Sequence, residues 1–134
     1  KDRCNGQCPI NLIDLSIGDN TEQWYSLTDA DHPDSEAEVK LGLLLRRKPA
    51  DKDHDATLRF RVVEARKLPA LDYGGTSDPY ITITFEGKTK KTSTVFKTLQ
   101  PVWHEQLEFN TLASELDSRV LVECFDYDIA GSDD

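Results

Sequence analysis

The sequence predicts an all-β protein built as an antiparallel β-sandwich. Three observations carry that expectation. About eight short runs alternate apolar and polar residues with the period of two that a half-buried strand requires. Turn chemistry separates the runs. No stretch has the length and periodicity of a long helix, and only Ala113–Asp117 reads as one helical turn. At 134 residues the chain is most simply one domain, long enough to bury a core.

Taken in order, Gly6–Leu15 reads as a strand and a loop, with Cys8, Ile10 and Leu12 alternating. Ser16–Gln23 holds Gly18, Asp19 and Asn20, a turn signal, and Trp24–Leu27 is a short apolar strand. Thr28–Glu38 is an acidic linker with one proline. From Val39 the pattern is regular. Val39, Leu41, Leu43 and Leu45 share one face, and Lys48–Asp55 forms a charged turn. Leu58, Phe60 and Val62 then alternate with Arg59 and Arg61. Ile81, Ile83 and Phe85 share a face opposite Thr82 and Thr84, Gly87 breaks the run, and Lys88–Phe96 reads as a polar β-branched strand. After a Pro turn at Thr98–Trp103, Leu107 and Phe109 flank Glu108. Val120, Val122 and Cys124 alternate with Leu121, Glu123 and Phe125.

The formal charge is −9, from 25 acidic against 16 basic residues. A polyphosphate backbone selects basic surfaces, so nucleic acid is excluded as a general partner. Constitutive binding to acidic lipid is disfavoured for the same reason, unless something neutralises the acid locally. No apolar run approaches the roughly 20 residues that span a bilayer, and there is no signal-peptide pattern. Cys4, Cys8 and Cys124 form an odd set without zinc-type spacing. No Asn-x-Ser/Thr site is present, and both facts lean towards a reducing, cytosolic setting, with Cys124 a core residue.

Two loops concentrate the chemistry. Leu68–Tyr80, LPALDYGGTSDPY, carries Asp72 and Asp78 around Gly74–Gly75. Phe125–Asp134, FDYDIAGSDD, carries Asp126 and Asp128 two apart at a strand end, so both project to one side, and Asp134 after a small-residue turn. Aspartate is common in turns for its local hydrogen bonds, so any one of these alone is ordinary. In a sandwich, however, loops cluster at the ends, and five carboxylates on one rim would repel one another without a cation. Calcium takes roughly 6–8 oxygen ligands and favours carboxylates, so the pattern reads as a calcium site. Asp126-x-Asp128-x-x-Gly131 also matches the first half of an EF-hand loop, but its approach is a strand and the chain ends before the position of the bidentate Glu.

LDYGGTSDPYI, KTLQPVWHEQLEF and VLVECFDYDIAGSDD, in that order and spacing, resemble the C2 domain of the synaptotagmin and protein kinase C type over Val39–Asp134. The resemblance implies an eight-stranded antiparallel Greek-key sandwich with calcium held between the first and third top loops. By motif position it implies Asp72, Asp78, Asp126, Asp128 and Asp134 as carboxylate ligands, the backbone carbonyls of Leu71 and Tyr127 as further ligands, and roughly two or three Ca²⁺ ions. A serine found in the third loop of some members is Gly131 here, which bears on how tightly a last, weak ion is held.

The N-terminal stretch resembles the last two strands of the same domain type, on NGQCPINL and WYSL. Residues 1–27 thus read as the tail of one module, 28–38 as a linker, and 39–134 as the first six strands of the next. Together they supply one full set of strands in circularly permuted order, completed within one chain or by swapping in a homodimer. A sandwich lacking two strands would expose apolar faces and unpaired edges. In this order Asp134 sits beside Lys1–Arg3.

The function expected is calcium-dependent binding to anionic phospholipid membranes. It would bring a larger protein from the cytoplasm to the membrane in signalling or vesicle traffic. Tyr73 and Ile129 fall at the loop tips, where interfacial anchors would sit. Lys88, Lys90 and Lys91 fall on the strand pair that in the family often carries a phosphoinositide-binding patch. Alternation splits them, with Lys88 and Lys90 on one face and Lys91 and Lys97 on the other, and a solvated edge is the plainer reading. The alternative function is a calcium-independent protein–protein interaction scaffold. Catalysis is not expected: His32, His54 and His104 have no neighbouring nucleophile pattern, and no phosphate loop is present.

Overall fold

The computed structural model describes residues 2–12, 20–71, 74–117 and 119–128. Its strands are β1 Arg3–Asn11, β2 Asn20–Ser26, β3 Glu38–Arg47, β4 Ala56–Arg66, β5 Pro79–Phe85, β6 Lys88–Lys91, β7 Val102–Thr111 and β8 Arg119–Asp126. They form two four-stranded antiparallel sheets, ordered β1-β8-β5-β6 and β2-β3-β4-β7. The eight-stranded antiparallel sandwich expected from the alternation is therefore the fold observed.

Alternation decides which side chains meet between the sheets. Val39, Leu41, Leu43 and Leu45 of β3, Leu58, Phe60 and Val62 of β4, and Ile81, Ile83 and Phe85 of β5 are all buried. Phe109 of β7 ties the layers together, edge-on to Phe60 of its own sheet at 5.8 Å and to Phe85 of the facing sheet at 5.6 Å. Fully burying side chains of this kind contributes about 1.5–3 kcal/mol each. The three cysteines are free thiols, and Cys124 lies in the core as its alternation indicates.

β1 and β2 close the two sheets. β1 pairs with β8 and covers its edge, and β2 pairs with β3. Arg66 lies over the Trp24 ring at 3.8 Å and also holds Glu38 at 2.8 Å, joining β2, β3 and β4 on their outer face. A bulge between Cys4 and Gly6 turns both Asn5 and Gly6 inward. Gly6 has φ 147°, and a Cβ there would lie 2.9 Å from Leu27 Cβ, so only glycine lets β1 approach the residue that follows β2.

Some element bounds differ from the sequence expectation. β1 begins at Arg3 and ends at Asn11. β2 begins at Asn20, so Asn20–Gln23, read above as turn, pairs with Leu41–Leu44 of β3. β6 ends at Lys91 rather than Phe96 because Thr92 turns its side chain into the ladder. Its Oγ1 accepts the Ile81 N–H at 3.0 Å, while its own N–H goes to the Ile81 carbonyl. Of Ala113–Asp117, Ala113–Glu115 forms a single 3₁₀ turn.

Candidate functional site

β4 leads into the first loop at the same end of the sandwich where β5 starts, β8 ends and β1 begins. Strand polarity alone therefore brings residues 67–71, 74–78, 92–101, 127–128 and Asp2 to one rim. In register, Asp126 lies opposite Pro79 on one side and Arg3 on the other. Its carboxylate is only 2% exposed. One oxygen accepts the Asp78 N–H at 2.8 Å, and the other lies 3.5 Å from Arg3 Nη2.

Asp78 is tied in from both sides. Its carbonyl accepts the Tyr127 N–H at 2.9 Å, and its carboxylate accepts the Lys97 N–H at 2.7 Å. Two residues beyond Asp126, the Asp128 N–H donates to the Asp2 carboxylate at 2.8 Å, and the other Asp2 oxygen accepts the Tyr80 hydroxyl. Burial first, and this bond to Asp2 second, push the Tyr80 phenol well above its ordinary value. Below the rim, Ser77 is fully buried. Its hydroxyl donates to the Pro69 carbonyl and accepts the Leu71 N–H, so it fixes the base of the first loop.

Of the residues singled out from the sequence, the structure brings Asp78, Asp126 and Asp128 to this rim, with Leu71 and Tyr127 at the loop bases. Asp72, Tyr73, Ile129 and Asp134 lie outside the described residues. Among the described residues no three metal-ligating side chains gather into a cage. The donor set present is wholly oxygen, which suits a hard cation and not zinc or copper. Asp2 and Arg3 belong to the rim but carry no motif of their own. Only the position of β1 beside β8 reveals them.

Lys88, Lys90 and Lys91 are exposed on β6. Lys88 and Lys90 stand opposite Phe85 and Ile83, and Lys91 opposite Thr82. Lys90 Nζ sits over the Phe109 ring at 5.3 Å, whereas Lys91 Nζ sits over the Tyr80 ring at 5.7 Å, on the outer face. A hollow of about 480 Å³ lies at the opposite end, lined among others by Pro9, Thr84, Arg119 and Leu121, and is remote from the acidic rim. No helix among the described residues is long and apolar enough to cross a membrane.

The rim thus gathers oxygen donors from segments at opposite ends of the sequence. A family model described as "C2 domain" matches residues 56–134, and the chain belongs to the C2 domain family. Human Ras GTPase-activating protein 4B is 35% identical over 111 residues, 83% of this chain and 13% of that protein. Drosophila melanogaster synaptotagmin 1 is 36% identical over 115 residues, 82% of this chain and 24% of that protein. The chain thus spans less than a quarter of either relative. A solved C2 domain of RIM from Drosophila matches with a TM-score of 0.55 at 23% identity, covering 72% of this chain and 77% of that one, a likeness of fold.

Proposed function

We propose that the chain is a calcium-switched module that binds anionic phospholipid membranes. In the cell it would carry a larger protein from the cytoplasm to the membrane surface in signalling or vesicle traffic. The observation that carries this reading is the join between the first and third loops. The Asp78 N–H is bound to the buried Asp126 carboxylate, with Asp128 two residues beyond.

Asp72, Asp78, Asp126, Asp128 and Asp134 would supply the carboxylates, and Leu71 and Tyr127 the carbonyls, for roughly two or three Ca²⁺ ions. Without the ions an acidic rim repels anionic lipid. Bound ions reverse its local sign and bridge to lipid phosphates. Tyr73 and Ile129 would stand at the interface. Lys88, Lys90 and Lys91 would add a weaker, divided contact to phosphoinositide headgroups. Family membership and the synaptotagmin relative support a membrane- or protein-binding module, and the filled carboxylate positions support the calcium switch.

The strand order is read as the tail of one module (1–27), an acidic linker (28–38) and the front of the next (39–134). The 111-residue match to Ras GTPase-activating protein 4B supports this, because it is longer than 39–134 can hold and so runs into the linker. Sedimentation mass distinguishes closure within one chain from strand exchange between two.

Co-sedimentation with phosphatidylserine–phosphatidylcholine vesicles, first in Ca²⁺ and then in chelator, tests the proposal. Binding that appears with calcium and is released by chelator is expected. Binding indifferent to chelator would remove the switch, and no binding under either condition would favour the protein-interaction scaffold.

A further inference from the structure

We propose that Arg3 is a tethered counter-cation at the ion site: it holds the Asp126 carboxylate until calcium displaces it, and so sets how tightly the rim takes calcium. This rests on the calcium reading above and adds a regulator that the reading leaves out. Among the described carboxylates of that site, Asp126 alone is buried, at 2% exposed, whereas Asp78 and Asp128 are partly open to solvent. A buried carboxylate is costly to leave without a partner of opposite charge. Its Oδ1 accepts the Asp78 N–H at 2.8 Å, and its Oδ2 lies 3.5 Å from Arg3 Nη2.

The fold sets this pair in place. In the β1–β8 ladder Arg3 stands directly opposite Asp126, so the guanidinium stays within reach of the carboxylate. One residue earlier, the Asp2 carboxylate accepts the Asp128 N–H at 2.8 Å and the Tyr80 hydroxyl, which anchors the backbone that carries Arg3. The Arg3 side chain itself is 60% exposed. A long side chain so exposed can swing into water while its backbone stays fixed.

Oδ1 is engaged by the Asp78 N–H, so a cation at Asp126 would draw on Oδ2. Oδ2 cannot serve Arg3 and a divalent ion at once, like charge against like. Whatever Arg3 contributes to the ion-free rim is therefore subtracted from calcium binding. Arg3 supports the fold without calcium and weakens the hold on calcium, and these opposite signs separate its role from a purely structural one. An exposed ion pair shifts an equilibrium roughly a few-fold and a buried one roughly a hundredfold or more. With one end buried and the other in water, about tenfold is expected.

Calorimetric calcium titration and thermal melting of the whole chain, at fixed ionic strength, test this. Arg3→Gln is expected to bind calcium about tenfold more tightly and to melt a few degrees lower in EGTA. Arg3→Lys keeps the charge and should bind within about twofold of wild type. Lys97→Gln removes a charge from another exposed side chain at the rim, and should also stay within about twofold. In wild type the Arg3 guanidinium NMR signal, identified by its loss in Arg3→Lys, should shift as calcium is added. If Arg3→Gln binds calcium no tighter than wild type or melts no lower in EGTA, or if Lys97→Gln tightens binding as much, the inference falls with the calcium reading intact. An Arg3 signal indifferent to bound calcium would overturn it too, and decides the matter should Arg3→Gln fail to fold. A silent wild type beside an Arg3→Gln that binds calcium would uphold the inference and overturn the calcium switch. Silence in both would overturn both.

Discussion

Asp126→Asn separates the structural from the ionic role of the most buried carboxylate on the rim. The amide keeps the shape of the side chain and an oxygen for the Asp78 N–H, now 2.8 Å away, but removes the charge that a divalent cation would use. A ligand at 100 times its dissociation constant stabilises a fold by about 2.7 kcal/mol. For 134 residues the unfolding entropy near the midpoint is about 0.28 kcal/mol/K, so saturating calcium should raise the wild-type Tm by about 10 °C. If losing the charge weakens the site about a hundredfold, the same calcium concentration stabilises by about 0.4 kcal/mol, a rise of about 1.5 °C. Scanning calorimetry with about 1 mM calcium and then with EGTA reads both numbers. In EGTA the variant should melt within about 3 °C of wild type, because its hydrogen bond survives while the acidic rim loses one charge. A variant that keeps the full calcium shift, or that unfolds in EGTA, would refute the reasoning.

Three further outcomes are expected. Gly6→Ala places a Cβ 2.9 Å from Leu27 Cβ at φ 147°, and should cost about 2–3 kcal/mol in urea unfolding; a loss below about 0.5 would contradict the close approach of β1 to Leu27. Asn5 is fully buried with neither amide nitrogen nor oxygen bonded to another N or O atom, so Asn5→Leu should be neutral or stabilising by about 1 kcal/mol. A destabilised variant would show that the amide's contact with the Cys124 thiol carries weight. Burial holds the Cys124 thiol and the Tyr80 phenol above their ordinary values of 9.0 and 10.0, so only the unfolded chain ionises them readily. Stability should be complete below about pH 9 and fall as pH rises beyond it, and Cys124→Val should lessen the fall. A flat profile from about pH 8 to 11 would count against both shifts.

Alternation made the sheets legible wherever a strand runs without an extra residue. β3 keeps Val39, Leu41, Leu43 and Leu45 inside throughout, whereas on β4 the extra residue Val63 breaks the period and Val62 and Val63 are both buried. The ends of elements were less legible. Gly18-Asp19-Asn20 signals a turn locally, yet Asn20 already pairs with Leu44, since tertiary pairing outweighs local preference. Lys88–Phe96 has the composition of a strand, but one hydroxyl, that of Thr92, ends it. At the rim, Asp78, Asp126 and Asp128 announced themselves by spacing. Asp2 and Arg3 did not, because their importance comes from neighbours more than 120 residues away.

The pairing of β1 with β8 sets the order in which the molecule can assemble. Hairpins such as β5–β6 close over a few residues, whereas the Arg3–Asp126 contact closes a loop of 123 residues. Widening a loop about fortyfold adds only about 3 kcal/mol of closure entropy, but that cost falls before any contact offsets it and so falls on the rate. The six strands from β3 to β8 can condense first around Phe60, Phe85 and Phe109. The acidic rim is complete only when the first strand is docked, because Asp2 and Arg3 supply contacts to Asp128 and Asp126 that no local segment can replace.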